Sequence, residues 1–575
     1  MKARRRLVRP AHSPADADVL TRVYAHRGIT DPTQVDHGLG GLPPHTALSG
    51  IDAATSLLQT ALREAWSILV VGDFDADGAT STALALRALR AMGASRLDYL
   101  VPNRFEYGYG LTPEIVTVAA DRAPDLIITV DNGIASIEGV RAARDRGIRV
   151  LVTDHHLPGE HLPEADALVD PNLPGDPFPA KSLAGVGVIF YVLAALRARL
   201  RAEGWFRQRG LPEPVMGDFL DLVALGTVAD VVPLDRTNRI LVEQGLRRIR
   251  ARRAVPGIQA LLELAGRNPR RVVATDLGFA AGPRLNAAGR MDDMSLGIEC
   301  LLCDNADGAR ELARALDDLN RERREVEQQM QAEALQGLEA VLQRGVDEEA
   351  WHGLCVHEPH WHQGVIGLVA SRLKERLHRP VIAFALGEGG ELKGSARSIP
   401  GLHMRDALAA IDAAHPGLIT RFGGHAMAAG LSLSADRLET FRHRFDAHVR
   451  QTLDPADLEG VIHSDGPLAE HELNLDTAEA LRAAGPWGQG FPEPLFDGEF
   501  QVLERRLLAG RHLRLRLRPR GGRTEIGGIA FHIDPQDWPE DRERVRLAYR
   551  LDANEFRGAC SAQLVVEHVL DLDGV

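Results

Sequence analysis

The chain has 575 residues, 45% of them hydrophobic, and a formal charge of −13, so it is too long for one core and is expected to form several globular domains. The acidic balance excludes a generally basic nucleic-acid coat but leaves room for a local basic groove. Four cysteines are too few for a disulfide framework, and the most apolar run, residues 185–196, is well short of the ~20 residues that cross a bilayer, so a cytoplasmic protein with no membrane contact is expected.

Residues 1–45, with scattered prolines and histidines, are an amino-terminal extension expected to pack on the first domain. From 46 to 300 the pattern is α/β. Residues 67–71, 126–130 and 149–152 are short, β-branched and almost uncharged, as parallel strands covered on both faces are, and helical stretches follow each one. Residues 182–200 and 217–230 read as further helices. Residues 307–344 lack proline, and Leu312, Leu316, Leu319, Val326 and Met330 recur at threes and fours. Within a connecting segment 301–348 this predicts one long helix, roughly 50 Å at 1.5 Å per residue, with two helices broken near Gly337 as the alternative. Residues 349–452 form a second, smaller α/β domain, with a strand at 379–384 and turns at Gly389-Gly390 and Gly423-Gly424. Residues 453–575 read as short strands. In His512-Leu513-Arg514-Leu515-Arg516-Leu517-Arg518 the alternation sends leucines inward and arginines outward, predicting a small β-barrel or sandwich.

Three acidic runs sit directly after the first three strands: Gly72-Asp73-Phe74-Asp75-Ala76-Asp77-Gly78, Thr129-Val130-Asp131-Asn132-Gly133 and Thr153-Asp154-His155-His156. Strand-helix alternation implies a doubly wound sheet whose carboxyl edge binds ligands, so the three runs should converge on one crevice. Taken singly, the first is a helix cap or calcium-type loop, the second an ordinary turn and the third a pair of surface histidines. Their recurrence at three strand ends favours a metal site. Asp73, Asp75, Asp77, Asp131 and His155 are more ligands than one tetrahedral ion takes, but suit two octahedral ions sharing a carboxylate. Oxygen-dominated ligation with one imidazole suits Mn2+ or Mg2+ better than zinc or copper. Asp221 and Asp230 lie on opposite sides of one continuous helix, so only one reaches the site. Asp230, at the helix end, is favoured as the ligand, and Asp221 is read as a first-turn acid complementing the helix dipole.

These motifs, with Gly282-Pro283-Arg284-Leu285-Asn286-Ala287-Ala288-Gly289-Arg290, Trp361-His362-Gln363-Gly364-Val365-Ile366-Gly367, Ser395-Ala396-Arg397-Ser398 and Arg421-Phe422-Gly423-Gly424-His425-Ala426, resemble in order and spacing the DHH phosphoesterases, and among them the single-strand-specific exonucleases. The resemblance covers nearly the whole chain. It implies 5′-to-3′ hydrolysis of single-stranded DNA to mononucleotides with two divalent metals, Mn2+ or Mg2+, in DNA repair and recombination. It implies Asp73, Asp75, Asp77, Asp131, His155 and Asp230 as metal ligands. Asp131 would bridge, His156 would polarise the scissile phosphate, and Asp77 would share in catalysis. It also implies a DHHA1-like second domain that holds the substrate end and an oligonucleotide-binding (OB) fold in the last. A monomer is expected, with a helicase and a single-strand-binding protein as conceivable partners.

Ser395, Arg397, Gly424 and His425 offer a hydroxyl, a guanidinium fork and backbone N–H groups, the equipment that grips a terminal phosphate. Arg284, Asn286 and Arg290, on a Pro- and Gly-flanked loop, are candidates to line the strand path. Between 501 and 523 there are eight arginines against one acid, Glu504, so Arg514, Arg516 and Arg518 are candidates to follow a phosphate backbone. Few aromatics accompany them, and Phe105, Tyr107 and Tyr109 are candidates for base stacking. Histidines 357, 360 and 362 are too irregularly spaced for a second metal site. Two other functions fit parts of the pattern: a DHH phosphodiesterase acting on short oligonucleotides or small phosphates, and a non-catalytic single-strand-binding scaffold.

Overall fold

The computed structural model describes residues 5–10, 17–103, 107, 110–343, 351–387, 390–508, 512–531, 538, 543–556 and 558–570. It divides into two units, one of residues 1–8 with 319–463 and the other of 9–318 with 464–575. Strand β1 (Arg5–Val8) belongs to the first unit, where it pairs in parallel with residues Gly460–His463.

The second unit is centred on a five-stranded sheet of β2 (Ser67–Gly72), β3 (Arg96–Leu100), β4 (Leu126–Val130), β5 (Arg149–Thr153) and β6 (Ala167–Val169). The spatial order is β3-β2-β4-β5-β6 and every neighbouring pair is parallel. All five residues of β4 are buried, as near-continuous apolar runs require when helices cover both faces. On one face Leu69, Val71, Ile127, Val150 and Val152 pack with Leu111, Ile115, Val116 and Val140. The order reverses between β2 and β4, so the crevice that a doubly wound sheet offers to ligands opens where these two strands end. The loops carrying Asp73 to Asp77 and Asp131 leave the sheet at that point.

The amino-terminal extension does not pack on one domain. Helix Val19–His26 lies against the region preceding the carboxy-terminal barrel: the Tyr24 hydroxyl donates to Ala484 O at 2.8 Å, its ring stacks near Phe491, and Arg22 pairs with Glu472 at 2.9 Å. Residues further on meet helix Arg236–Arg250, where Gln244 donates to His37 O and Arg239 to Gln34 O.

Helix Ala306–Gln343 is continuous through Gly337, since one glycine costs only ~1 kcal/mol against its neighbours' helical preference. The division between the two units falls inside it. In the first unit, β7 (Leu354–His357), β8 (Val381–Leu386), β9 (Glu391–Arg397), β10 (Arg421–Gly424) and β11 (Ala428–Ser434) form a sheet ordered β10-β11-β9-β8-β7, in which only β7 and β8 run parallel. Phe384, Phe441 and Phe445 fill its core, and the strand paired with β1 is β12 (Gly460–His463).

The last five strands, β13 (Phe496–Leu508), β14 (His512–Pro519), β15 (Ile526–Ala530), β16 (Arg544–Phe556) and β17 (Ala559–Leu570), close into a barrel in the order β13-β14-β15-β17-β16. On β14, Leu513, Leu515 and Leu517 are buried and Arg514 and Arg516 exposed, as alternation requires.

Candidate metal centre

The acidic loop leaves β2 and turns into helix Ala76–Ala91. Asp75 is the N-cap, and its Oδ1 accepts from the backbone N–H groups of Asp77 at 2.9 Å and Gly78 at 3.0 Å. Asp77, in the first turn, points the other way. Its Oδ2 accepts from Gly185 N at 2.6 Å and its Oδ1 from Val186 N at 3.1 Å, at the start of helix Gly185–Ala202, where the helix dipole favours a carboxylate. After β4, Asp131 adopts a φ of 61°, a left-handed conformation uncommon outside glycine. The turn is tied down by Asn132, whose Nδ2 donates to Val71 O and Val130 O. Gly185 packs directly against Asp131, and a Cβ there would lie 2.6 Å from that of Asp131.

After β5, Asp154 organises both histidines. Its Oδ1 accepts from His155 N and from His156 Nδ1, each at 2.7 Å, while Oδ2 accepts from Ile134 N at 2.8 Å. Burial opposes ionisation of Asp154, but these donors and the charge of His156 hold its pKa below the usual range. Burial likewise opposes charge on His156, yet the Asp154 hydrogen bond and charge raise it to about 9, so it is an imidazolium at neutral pH. His155 behaves oppositely: burial, then the neighbouring His156 charge, lowers it to about 4. Its neutral ring directs Nε2 at Asp131 Oδ1, 3.0 Å away, and Asp230 Oδ2, 3.5 Å away.

Asp230 caps the end of helix Leu220–Ala229. In each of three groups one donor atom per residue lies within 4.8 Å of the others: Asp131, His155 and His156; Asp77, His155 and Asp230; Asp73, Asp75 and Asp131. Every expected ligand is in this cluster, with Asp131 and His155 each in two groups. Burial first, then the charges of Asp77, Asp75, Asp230 and Asp73, pushes Asp131 well above the usual carboxylate pKa. Asp77 is raised by burial and then by Asp230 and Asp75. Carboxylates packed against one another away from water, beside a neutral imidazole, fit hard divalent cations such as Mn2+ or Mg2+.

Burial and then Asp75 raise Asp230 to about 7, which gives a metal-free test. Native Asp230 binds its proton more tightly than the unfolded chain does, so its contribution to stability falls as pH rises from about 4 to 7. In chelator, Asp230→Asn should flatten the decline of melting temperature over that window. Parallel pH slopes for the two proteins would contradict the raised pKa of Asp230.

Asp221 is fully buried, accepts from Val255 N at 2.7 Å, and lies outside the cluster. The segment expected to be a strand-lining loop is helix Gly282–Met291, with Pro283 in its first turn, where a missing N–H is tolerated. Arg284, expected to line the strand path, is buried, pairs with Asp317 at 2.8 Å and donates to Ala280 O, so it fastens helices together. Asn286 Oδ1 accepts from Ala76 N at 2.7 Å. Arg290 is half-buried near the helix end.

In the other unit, Arg397 Nη1 donates to Ser395 Oγ at 3.1 Å and its Nε to Ser371 Oγ at 3.1 Å. The guanidinium lies over the first turn of helix Ile366–Leu377, where a Cβ at Gly367 would be 2.9 Å from Arg397 Nη2. Gly424, at φ 138°, ends β10 and pairs with Ala429, with exposed His425 following it. Among the three histidines, His360 pairs with Glu333 and His357 with Phe384 O, and none joins a metal-like cluster among the described residues.

The barrel's basic surplus is smaller than the 501–523 window suggests. Glu525 and Glu499 lie just outside it: Arg518 pairs with Glu525 at 3.0 Å and Arg520 with Glu499 at 2.7 Å, while Arg516 lies between Glu504 and Glu525. Arg514 remains exposed opposite Arg506. Phe105 and Tyr109 lie outside the described residues, and Tyr107 packs against the core of the sheet. Sequence reasoning missed Asn172, whose Nδ2 donates to His155 O at 2.6 Å, and the start of helix Gly185–Ala202. Neither carries a local motif, because both act through contacts made only by folding.

Residues 67–227 match the DHH family, N-terminal domain, residues 351–451 the DHHA1 domain, and residues 464–568 the RecJ OB domain. The chain is similar to the single-stranded-DNA-specific exonuclease RecJ of Dickeya dadantii, 58% identical over 96% of both chains, and to that of Escherichia coli, 55% identical over 98% of both. Among solved structures it resembles RecJ of Thermus thermophilus in complex with Mn2+, with a TM-score of 0.79 and 32% identity over 96% of this chain and 76% of that one. With relatives this similar along its whole length and three matching domains in order, the chain belongs to the RecJ family.

Proposed function

We propose that this chain is a metal-dependent exonuclease that degrades single-stranded DNA from its 5′ end and releases mononucleotides. The observation that carries the reading is the gathering of Asp73, Asp75, Asp77, Asp131, His155 and Asp230 at the sheet's switch point, in a chain whose relatives of similar length are single-strand-specific exonucleases. These residues would hold divalent cations, Mn2+ or Mg2+, whose chemistry would be charge neutralisation at the phosphoryl oxygens and acidification of water at neutral pH. Asp131, which belongs to two donor groups, would serve as a ligand in both. The helix start at Gly185 and Val186 braces Asp77, and His155 supplies a neutral nitrogen. The His156 imidazolium, oriented by Asp154, would donate to a phosphate oxygen of the scissile linkage.

Residues 46–300 then form the catalytic part, 349–452 the part that holds the substrate end, and 453–575 the part that follows the strand. Arg397, with Ser395 beside it over a helix N-terminus, has the chemistry of a terminal-phosphate grip. Arg397→Ala should raise KM for a 5′-phosphorylated strand about tenfold, the worth of one charge-assisted hydrogen bond. Steady-state kinetics check this, and unchanged KM and kcat would refute the assignment. Exposed Arg514 and Arg506 suit a phosphate backbone better than a small phosphate ester.

Timed digestion of 5′- and 3′-labelled single and double strands with Mn2+, Mg2+ or chelator tests the whole reading. Labelled mononucleotide should appear first from the 5′ label of single strands and not at all in chelator. Release first from the 3′ label, or equal rates on duplex, would overturn it.

A further inference from the structure

We infer that Asn286 and Gly289, on helix Gly282–Met291, are positioning residues of the metal centre that act by clamping the acidic loop without touching a cation. The helix Ala76–Ala91 opens with backbone N–H groups that need acceptors. Asp75 Oδ1 takes those of Asp77 and Gly78. That of Ala76 goes to Asn286 Oδ1 at 2.7 Å, from 210 residues away in sequence. Asn286 thus takes the first-turn N–H that Asp75 leaves over. The amide therefore leaves Asp75 an oxygen to turn toward the neighbouring Asp73 and Asp131.

One turn further along the same face, Gly289 is packed against the loop backbone so closely that a Cβ would collide with the Phe74 carbonyl oxygen. The clamping helix is itself held fast. Arg284 joins it to helix Ala306–Gln343 through Asp317, with contacts at 2.9 and 2.8 Å and both side chains less than 10% exposed. Its guanidinium also donates to Ala280 O, tying the helix to the π-turn Leu277–Ala281 before it. The chain between Asp73 and Asp77 is thus pinned by β2 at one end, by its own helix at the other, and by Asn286 and Gly289 across the middle. Outer contacts of this kind commonly change metal affinity 10–100-fold when removed.

The inference rests on the acidic cluster holding divalent cations. Isothermal titration of Mn2+ into the full chain without DNA, with melting temperature in chelator and steady-state kinetics at saturating Mn2+, tests it. Asn286→Ala should weaken Mn2+ binding about tenfold or more with little change of melting temperature, and mainly lower kcat. Asn286→Asp, which keeps the acceptor oxygen, should bind Mn2+ more tightly than Asn286→Ala, and Gly289→Ala should weaken binding independently. Wild-type Mn2+ affinity in Asn286→Ala, with or without a raised KM for DNA, would overturn the inference; the raised KM would return Asn286 to the strand path. Absence of Mn2+ binding by the wild type would instead sink the cation reading beneath it.

Discussion

Asp131→Asn should lower the rate of single-strand hydrolysis by about three orders of magnitude or more, and should raise the melting temperature of the protein in chelator. Both effects come from one position. Asp131 is 2% exposed, faces His155 Nε2 at 3.0 Å and shares donor groups with Asp73, Asp75, His155 and His156. Without cations its charge is opposed by burial and four neighbouring carboxylates, so a neutral isostere relieves strain. On the proposed function the same carboxylate would be a metal ligand, and the amide is a far poorer one. A variant more stable in chelator and nearly inactive in Mn2+ separates loss of chemistry from loss of fold. Nuclease rates equal to wild type would end the argument.

The second large effect is at His156. His156→Ala should reduce kcat about 100-fold, the scale of one preorganised donor to a developing charge, while Mn2+ affinity measured by calorimetry changes much less. The imidazolium is maintained by Asp154 at 2.7 Å, and 35% of its side chain is exposed, so it can reach a substrate oxygen. His155, 10% exposed between Asp131 and Asp230, should show the converse, with Mn2+ affinity lost first. If His156→Ala weakens Mn2+ binding as strongly as it lowers kcat, its ring is a ligand and not a phosphate donor.

The parallel sheet and its acidic edge were legible because strands covered on both faces need uncharged, β-branched sequence, and because a doubly wound sheet sends every loop after a strand to one edge. Asp73, Asp75, Asp77, Asp131 and His155 could therefore be brought together from sequence position alone, and Asp230 by its place at a helix end. The segment 282–291 was misread because proline and glycine are ambiguous signals. Pro283 is in a first turn, where helices accept it, and Gly289 marks a close approach to Phe74 and not a turn. The buried pairing of Arg284 with Asp317 fastens the segment to the long helix, and no local pattern reveals a partner 33 residues away. On the barrel, charge counted between 501 and 523 overstated the surplus, because Glu499 and Glu525 reach back across the strands. Linear windows do not respect sheet neighbours. Asp77 offers the reverse lesson: its sequence context gives no hint that its carboxylate would accept from Gly185 and Val186 at the start of a different helix.

Anomalous diffraction from crystals soaked in Mn2+ tests the central claim most directly. The account predicts two strong peaks about 3.5 to 4 Å apart, bounded by Asp73, Asp75, Asp77, Asp131, His155 and Asp230, both diminished in Asp131→Asn. Peaks only elsewhere on the chain, or none at this cluster at saturating Mn2+, would contradict it.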